Sequence, residues 1–173
     1  QVVYALIPGA LVGVYFFGLP AIKVIAVSMV SCVLVEALWQ KAMKTRIQVN
    51  DWSAALTGLL LAMNLPAGCP WWMVAIGSAV AIVFGKQVYG GLGSNPFNPA
   101  LVARIFLLIS FPVAMTTWPQ PRPFFTQTAD AVTGATPLGA LKTAIFEHQT
   151  VTAAPPIDLM DPFLGNIGGS LGE

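Results

Sequence analysis

The feature that most constrains the fold is a stretch without any charged side chain, which runs from Trp52 to Gly85. A single helix of about 20 apolar residues already crosses the 30 Å hydrocarbon core of a bilayer. The uncharged stretch is much longer than that, and a run rich in proline and glycine interrupts it at 64–70. It therefore predicts two membrane segments joined by a turn. The first of them, 54–63, is either a short complete span or a segment that enters the bilayer and turns back.

Composition extends this prediction to most of the chain. Hydrophobic residues make up 56% of it and charged residues only 9%, against about 25% charged in an ordinary soluble domain. Three further apolar runs lie at 2–19, 21–39 and 100–118. We therefore predict an all-α polytopic membrane protein with about five transmembrane segments within 1–118. The region 119–173 has no run able to span a bilayer and should be an irregular loop region.

The distribution of basic residues predicts the orientation. Lys41, Lys44 and Arg46 form the most basic stretch of the chain, and such loops are retained on the cytoplasmic side. Counting segments from this loop places everything after Trp118 on the extracytoplasmic side. The chain begins at Gln1 and ends after an odd number of segments, so we expect it to be the N-terminal portion of a longer protein.

Several classes of function are excluded or unsupported. The net charge is +1 and no basic stripe is present, which argues against a nucleic-acid partner. Cys32 and Cys69 have no neighbouring cysteine or histidine in the sequence, so we expect small buried residues rather than a disulfide or a metal site. The single histidine, His148, should lie at the surface.

Charged and polar residues within the apolar segments are candidates for function. An ionisable residue inside a membrane is costly and so indicates function; Glu36 and Arg104 could line an ion path or pair structurally. Both lie near predicted cytoplasmic ends, where a long side chain could instead reach water. Asn95 and Asn98 lie in the Gly/Pro-rich run 90–99, which should be buried in protein or lie at a polar boundary. They could line a cavity or cap turns.

The region 119–173 contains a short polar motif, Asp130-Ala-Val-Thr-Gly-Ala-Thr136-Pro137. Proline suits the first turn of a helix, so Thr136 falls at an N-cap in front of a short helix at 138–146. The free N–H groups of that turn would face a phosphate held on the threonine hydroxyl. The alternative is that Thr136 simply caps the helix.

The motif resembles the flavinylation sequence Asp-x-x-(Ser/Thr)-Gly-Ala-Thr. That sequence occurs in membrane subunits of the Rnf ferredoxin:NAD oxidoreductase and of the Na-pumping NADH:quinone oxidoreductase. The resemblance implies that Thr136 carries FMN through a phosphoester bond, with Asp130, Thr133, Gly134 and Ala135 as recognition context. It also implies a separate flavin transferase that uses FAD and Mg, and riboflavin as an additional bound flavin.

Further stretches at 71–74, 86–100, 107–118 and 163–173 resemble the same family, so that the resemblance covers nearly the whole chain. Leu92, Ser94 and Phe97 match the Rnf branch of the family better than the quinone-reductase branch. The implied fold is the first of two inverted repeats followed by an outer loop region.

The resemblance implies an oxidoreductase subunit of a prokaryotic inner membrane. It would carry electrons between ferredoxin and NAD and couple their flow to Na or H transport. The implied partners are a second flavinylated subunit and iron–sulfur subunits. The alternatives are a B-type subunit of an NADH:quinone oxidoreductase, a channel or transporter without flavin, and a scaffold subunit without a redox group.

Overall fold

The computed structural model describes residues 2–44, 51–91, 93–119, 133–134 (backbone only) and 168–172. These residues form a helical bundle, which confirms the predicted fold class. The helices are α1 (Val2–Phe17), α2 (Leu19–Ala42), α3 (Ser53–Met63), α4 (Trp71–Val83), α5 (Pro99–Ser110) and α6 (Pro112–Thr116). A 3-10 turn at Gln87–Tyr89 follows α4, and a short antiparallel ladder joins β1 (Trp118–Pro119) to β2 (Thr133–Gly134).

Each of the five predicted apolar segments contains a helix, but the fifth is not continuous. The run at 100–118 was expected to be a single span, whereas α5 ends at Ser110 and the short α6 starts at Pro112. Proline disfavours the helical conformation in the residue before it, and Phe111 indeed lies outside the helical region at φ −134° and ψ 59°. The prediction of one helix over this run was therefore wrong.

The distribution of polar and apolar residues on helix α2 indicates the environment of the bundle. Its buried face carries the polar residues Ser28, Glu36 and Gln40, whereas its exposed face carries Val30 and Leu38. This is the reverse of a helix on the surface of a soluble protein, where the polar face lies outside. Among the described residues, the helical segments Leu19–Ala42 and Trp71–Tyr89 are long and apolar enough to cross a bilayer, and the other apolar helices are shorter.

Helix α3 runs antiparallel to α2 and α4 and is only half as long as a membrane span. Its 11 residues extend about 16 Å at 1.5 Å per residue, against a hydrocarbon core of about 30 Å. Length therefore favours a segment that enters the bundle and turns back through 64–70 into α4. Whether α3 crosses the bilayer or turns back within it, α4 ends on the side of the membrane where α3 begins. The cytoplasmic side predicted for Lys86 is therefore the same in both arrangements.

Close helix contacts hold α3 in the centre of the bundle. A Cβ atom on Gly58 would lie 2.7 Å from Cα of Met29, so α2 and α3 touch backbone to backbone. The largest apolar side chains of the main core surround the far half of α3 and come from α3, the following turn, α4, α5 and α6: Leu61, Leu65, Met73, Leu107 and Met115. A smaller apolar cluster of Cys32, Ala54 and Ile82 lies at the beginning of α3, next to buried polar side chains.

The C-terminal described residues close the other end of α3. Gly172 N donates to Met63 O at 2.8 Å and Leu171 N donates to Leu65 O at 3.2 Å. A Cβ on Gly13 would lie 2.6 Å from Leu171 O, which shows how closely this segment also packs on α1. The glycines of this segment therefore serve close packing against helices.

Candidate functional site

The beginning of α3 packs against a buried ion pair that joins α2 to the chain after α4. Lys86 Nζ lies 2.7 Å from Oε1 of Glu36, and the two side chains are 3% and 2% exposed. Glu36 is therefore buried and paired with Lys86, and it does not extend to water from the helix end. The two residues lie on different segments, and only the packing of α4 on α2 brings them together.

The hydrogen bonds of Glu36 are distributed unevenly over its two oxygens. Oε1 accepts from Lys86, from Gln87 Nε2 at 2.8 Å and from Gln40 Nε2 at 3.3 Å. Oε2 is buried and accepts from none of the described residues. A buried carboxylate oxygen without a donor is unfavourable, so one coordination position of Glu36 is left for another group.

A chain of hydrogen bonds leads from this pair to the surface. Lys86 Nζ also donates to Ser53 Oγ, and Ser53 Oγ in turn donates to Oδ1 of the exposed Asp51 at 2.7 Å. Ser53 is the first residue of α3, and its backbone N donates to the same oxygen of Asp51 at 2.9 Å. Partial burial raises the pKa of Asp51, but the hydrogen bonds from Ser53, helped by the charge of Lys86, outweigh it and hold the pKa below its usual value. Sequence analysis did not identify Asp51, Ser53 or Lys86 as site residues.

Further from the ion pair, uncharged hydroxyl groups donate hydrogen bonds to the backbone carbonyl oxygens of α2 and α3. Ser28 Oγ donates to Gly58 O at 2.7 Å, and Ser78 Oγ donates to Ser28 O at 3.4 Å. Thr57 Oγ1 donates to Ser53 O at 2.9 Å within α3. All these groups are buried, so the interface of α2, α3 and α4 contains a polar column beside the apolar cluster of Cys32, Ala54 and Ile82.

Arg104 lies at the other end of α3. Its Nη1 donates to Oδ1 of Asn64 at 2.8 Å, and Asn64 is the C-cap residue of α3. Arg104 is half-buried and is bonded to protein, so the structure gives it a role in packing. It does not bring Arg104 together with Glu36, the other charge predicted to line an ion path.

The remaining predicted polar residues also have structural roles. Asn98 caps α5 by accepting from Ala100 N at 3.0 Å, and Asn95 Nδ2 donates to Phe97 O at 2.8 Å. Both therefore stabilise turns, as one of the two alternatives expected. The described residues of this run, 90–91 and 93–99, are largely exposed at the helix ends, which agrees with a polar boundary. Among the residues that the structure describes, no three His, Cys, Asp or Glu side chains assemble into a metal site.

Both cysteines are buried and free, as expected. Cys69 lies in the turn between α3 and α4 and lines a cleft of about 310 Å³ together with Pro20, Lys23 and Trp71. Burial raises the pKa of its thiol to about 12. A thiol that stays protonated at neutral pH is a poor nucleophile, so Cys69 is a structural residue.

Two residues in the middle of the flavinylation-like motif, Thr133 and Gly134, lie at the end of the bundle opposite Lys86. In β2, Thr133 pairs with Pro119 and Gly134 pairs with Trp118. A Cβ on Gly168 would touch Trp118, and the next residues pair with the turn after α3 through Ser170 and Pro66. Asp130, Ala135, Thr136, the predicted helix at 138–146 and His148 lie outside the described residues.

Known proteins match this chain over its whole length. The model of the NQR2, RnfD, RnfE family matches residues 1–173. The chain is 42% identical to the D subunit of the ion-translocating oxidoreductase complex of Halorhodospira halophila. It is 44% identical to the D subunit of the Na(+)-translocating ferredoxin:NAD(+) oxidoreductase complex of Acetobacterium woodii. It is also 44% identical to the D subunit of the proton-translocating ferredoxin:NAD(+) oxidoreductase complex of Clostridium ljungdahlii.

Each of these matches covers the whole of this chain but only part of the relative. The covered shares are 54%, 51% and 52% of the three relatives. The chain thus spans about half the length of the curated relatives it matches.

Proposed function

Because the chain belongs to the NQR2, RnfD, RnfE family, we propose that it is a membrane subunit of an ion-translocating ferredoxin:NAD oxidoreductase complex that carries electrons through FMN esterified to Thr136. The observation that carries this proposal is the family match over all 173 residues, which includes the motif at 130–136. The names of the relatives describe ion-translocating complexes, and they favour the Rnf branch over the quinone-reductase branch.

The motif has the chemistry that a phosphoester needs. Thr136 would hold FMN as a phosphoester: its hydroxyl would displace AMP from FAD at the FMN phosphorus and lose its proton to solvent. A flavin transferase with Mg supplies this step, and Asp130, Thr133, Gly134 and Ala135 form the recognised sequence. When bound, flavin exchanges electrons singly or in pairs and so links one-electron to two-electron carriers.

The backbone in the middle of the motif is compatible with this attachment. Thr133 and Gly134 are extended and paired with β1, and the extended conformation that an N-cap residue requires would continue this strand if Thr136 caps a helix. The pairing holds the motif against the chain that leaves α6. Thr136 acts as the attachment site, while neighbouring hydrogen bonds and burial would tune the reduction potential of the flavin.

The positions of the two ends support an extracytoplasmic Thr136. Lys41 and Lys44 lie at the C-terminal end of α2, where Glu36 pairs with Lys86, and such basic residues favour the cytoplasmic side. The segment 133–134 lies at the opposite end of α3. The proposed location is a prokaryotic inner membrane. The proposed electron-transfer partners are iron–sulfur subunits and a second flavinylated subunit. Riboflavin is proposed as a further bound flavin.

Glu36 is the residue that we assign to the ion path. It is buried among three helices, and one of its oxygens has no donor among the described residues. Arg104 is assigned to packing because it bonds to Asn64. The transported ion is Na or H, since the names of the relatives include both.

A transporter-like subunit without flavin is the second candidate. The half-length α3 and the buried polar column favour it, since interrupted helices commonly line transport sites. It predicts no covalent flavin.

Covalent flavin decides between these functions. The full-length protein is expressed with its flavin transferase, denatured, separated on a gel and examined for flavin fluorescence. We expect a fluorescent wild-type band, its loss in Thr136→Ala and its retention in the matched control Thr143→Ala. A dark wild-type band would reject FMN at Thr136 and leave the transporter-like subunit.

A further inference from the structure

The charges around Lys86 are unequal in number. Its ammonium pairs with Glu36 and also bonds to Ser53, whose hydroxyl bonds to Asp51. Lys86 lowers the pKa of Asp51, so the two charges interact although Ser53 lies between them. One ammonium thus interacts with two carboxylates, so this cluster of three charges carries one excess negative charge that a monovalent cation would neutralise.

The two carboxylates differ in their surroundings. Glu36 is 2% exposed, and its Oε2 accepts from none of the described residues. Asp51 is exposed at the beginning of α3 and can be reached by solvent ions. Lys86 and Ser53, 2% and 7% exposed, lie between the two carboxylates in the chain of hydrogen bonds that reaches the surface at Asp51.

We propose that Lys86 is a tethered cation that closes the path to Glu36 and opens it by moving its ammonium along Ser53 toward Asp51. A monovalent cation, Na or a proton, then binds Glu36 at the position left open by Oε2. This gate rests on the assignment of Glu36 to the ion path and adds Lys86, Ser53 and Asp51 to it.

Electrostatics couples the two movements. If the ammonium left first, Glu36 would be an unpaired charge in a low-dielectric interior, which is strongly unfavourable. If a cation bound Oε2 while Lys86 stayed, two positive charges would share one carboxylate. The favoured states are therefore Lys86 on Glu36 without an ion, and the ion on Glu36 with Lys86 at Asp51. An ion cannot leak through without displacing the lysine.

Ser53 suits the transfer because it contacts both partners. Its hydroxyl accepts from Lys86 while it donates to Asp51. The ammonium therefore keeps at least one oxygen ligand while it moves from Glu36 to Asp51. Three donors on Oε1 of Glu36 hold the carboxylate in place, and two of them, Gln40 and Gln87, remain when Lys86 leaves.

The test uses membrane vesicles that contain the complete complex. Electron transfer from reduced ferredoxin to NAD is started, and wild-type vesicles identify the transported ion by uptake of radioactive Na or by acidification of an enclosed dye. The concentration of that ion at half-maximal rate is then measured in each variant. In-gel flavin fluorescence is recorded in parallel and shows that the electron carrier is intact.

Two variants should shift the half-maximal concentration in opposite directions. Lys86→Met removes the competitor, so we expect the concentration to fall about tenfold, with a lower maximal rate. Asp51→Asn removes the charge that receives Lys86, so we expect the concentration to rise. Lys23→Met is the matched control, since Lys23 is exposed near the other end of α2, and it should behave as wild type.

A purely structural ion pair would give a different result. It predicts poor assembly of Lys86→Met, recovery in the neutral pair Glu36→Gln with Lys86→Met, and a wild-type ion dependence in Asp51→Asn. Asp51→Asn removes the charge and keeps an oxygen acceptor for Ser53. An unchanged half-maximal concentration in this variant would overturn the gate. If Glu36→Gln alone kept full ion transport, the assignment of Glu36 itself would fail.

Discussion

Arg104 donates a hydrogen bond of 2.8 Å to Asn64 and so ties α5 to the C-terminal end of α3. Asn64 Nδ2 donates in turn to Leu60 O at 2.8 Å. The last carbonyls of a helix carry partial negative charge, which a nearby cation stabilises. Because α3 is too short to span a bilayer, this end lies within the bundle, where Arg104 and Asn64 are both partly buried.

Arg104→Leu should therefore destabilise the fold. The substitution removes the donor of the hydrogen bond to Asn64 Oδ1. A partly buried acceptor that loses its donor lowers the free energy of unfolding by about 1–3 kcal/mol. The measurement is thermal unfolding of the purified full-length protein in detergent. Lys41→Leu, which alters an exposed side chain, is the control and should unfold like wild type. Equal unfolding temperatures for both variants would show that the contact contributes nothing.

The close approach of α2 and α3 leads to a second prediction. A Cβ on Gly58 would lie 2.7 Å from Cα of Met29 and 2.9 Å from Ser28 O, and neither backbone atom can move without shifting α2. We expect Gly58→Ala to destabilise the protein by about 1–3 kcal/mol through overpacking. In Gly68→Ala the added carbon meets no atom within 4 Å, so thermal unfolding of that variant should match wild type. A stabilised Gly58→Ala would refute the contact.

Sequence alone predicted the helices but not how they pair. Apolar runs separated by glycine and proline located α1 to α4, because the bilayer leaves helices as the only regular structure for such runs. The break between α5 and α6 does not show in the hydropathy, which stays apolar through Pro112. It follows from the restriction that proline places on the conformation of Phe111. The contact of Glu36 with Lys86 could not be foreseen, because it depends on the depth and rotation at which α4 packs on α2. The motif at 130–136 was found from sequence alone, since its residues are adjacent in the chain.

Asp51 should make stability depend on acid pH. Its pKa is lowered from the ordinary value of 3.8, so the folded state holds the ionised form more firmly than the unfolded state. The resulting stabilisation is present above pH 3.8 and is lost as the pH falls through the lower folded value. Asp51→Ala also removes the acceptor for Ser53 N and should cost about 1 kcal/mol at neutral pH.

The check is the unfolding free energy of wild type and Asp51→Ala between about pH 6 and pH 3. The difference between the two proteins should narrow at the acid end. Asp51→Asn retains an oxygen acceptor and should fall between them at neutral pH. A difference that stayed constant over the whole range would mean that the Asp51 charge does not stabilise the fold.

Cys69 should resist alkylation in the folded protein. Burial raises the pKa of its thiol from 9.0 to about 12, and only the thiolate reacts. At a pH of about 8 the folded protein should react with iodoacetamide at least about a hundredfold more slowly than the unfolded chain. Cys32→Ala isolates Cys69, and mass spectrometry measures the rate.

The raised pKa also means that the contribution of the protonated Cys69 thiol to stability is complete below pH 9.0 and is lost as the pH rises toward 12. Similar rates in the folded and unfolded proteins would show that the turn between α3 and α4 opens readily and does not seal the cleft beside Cys69.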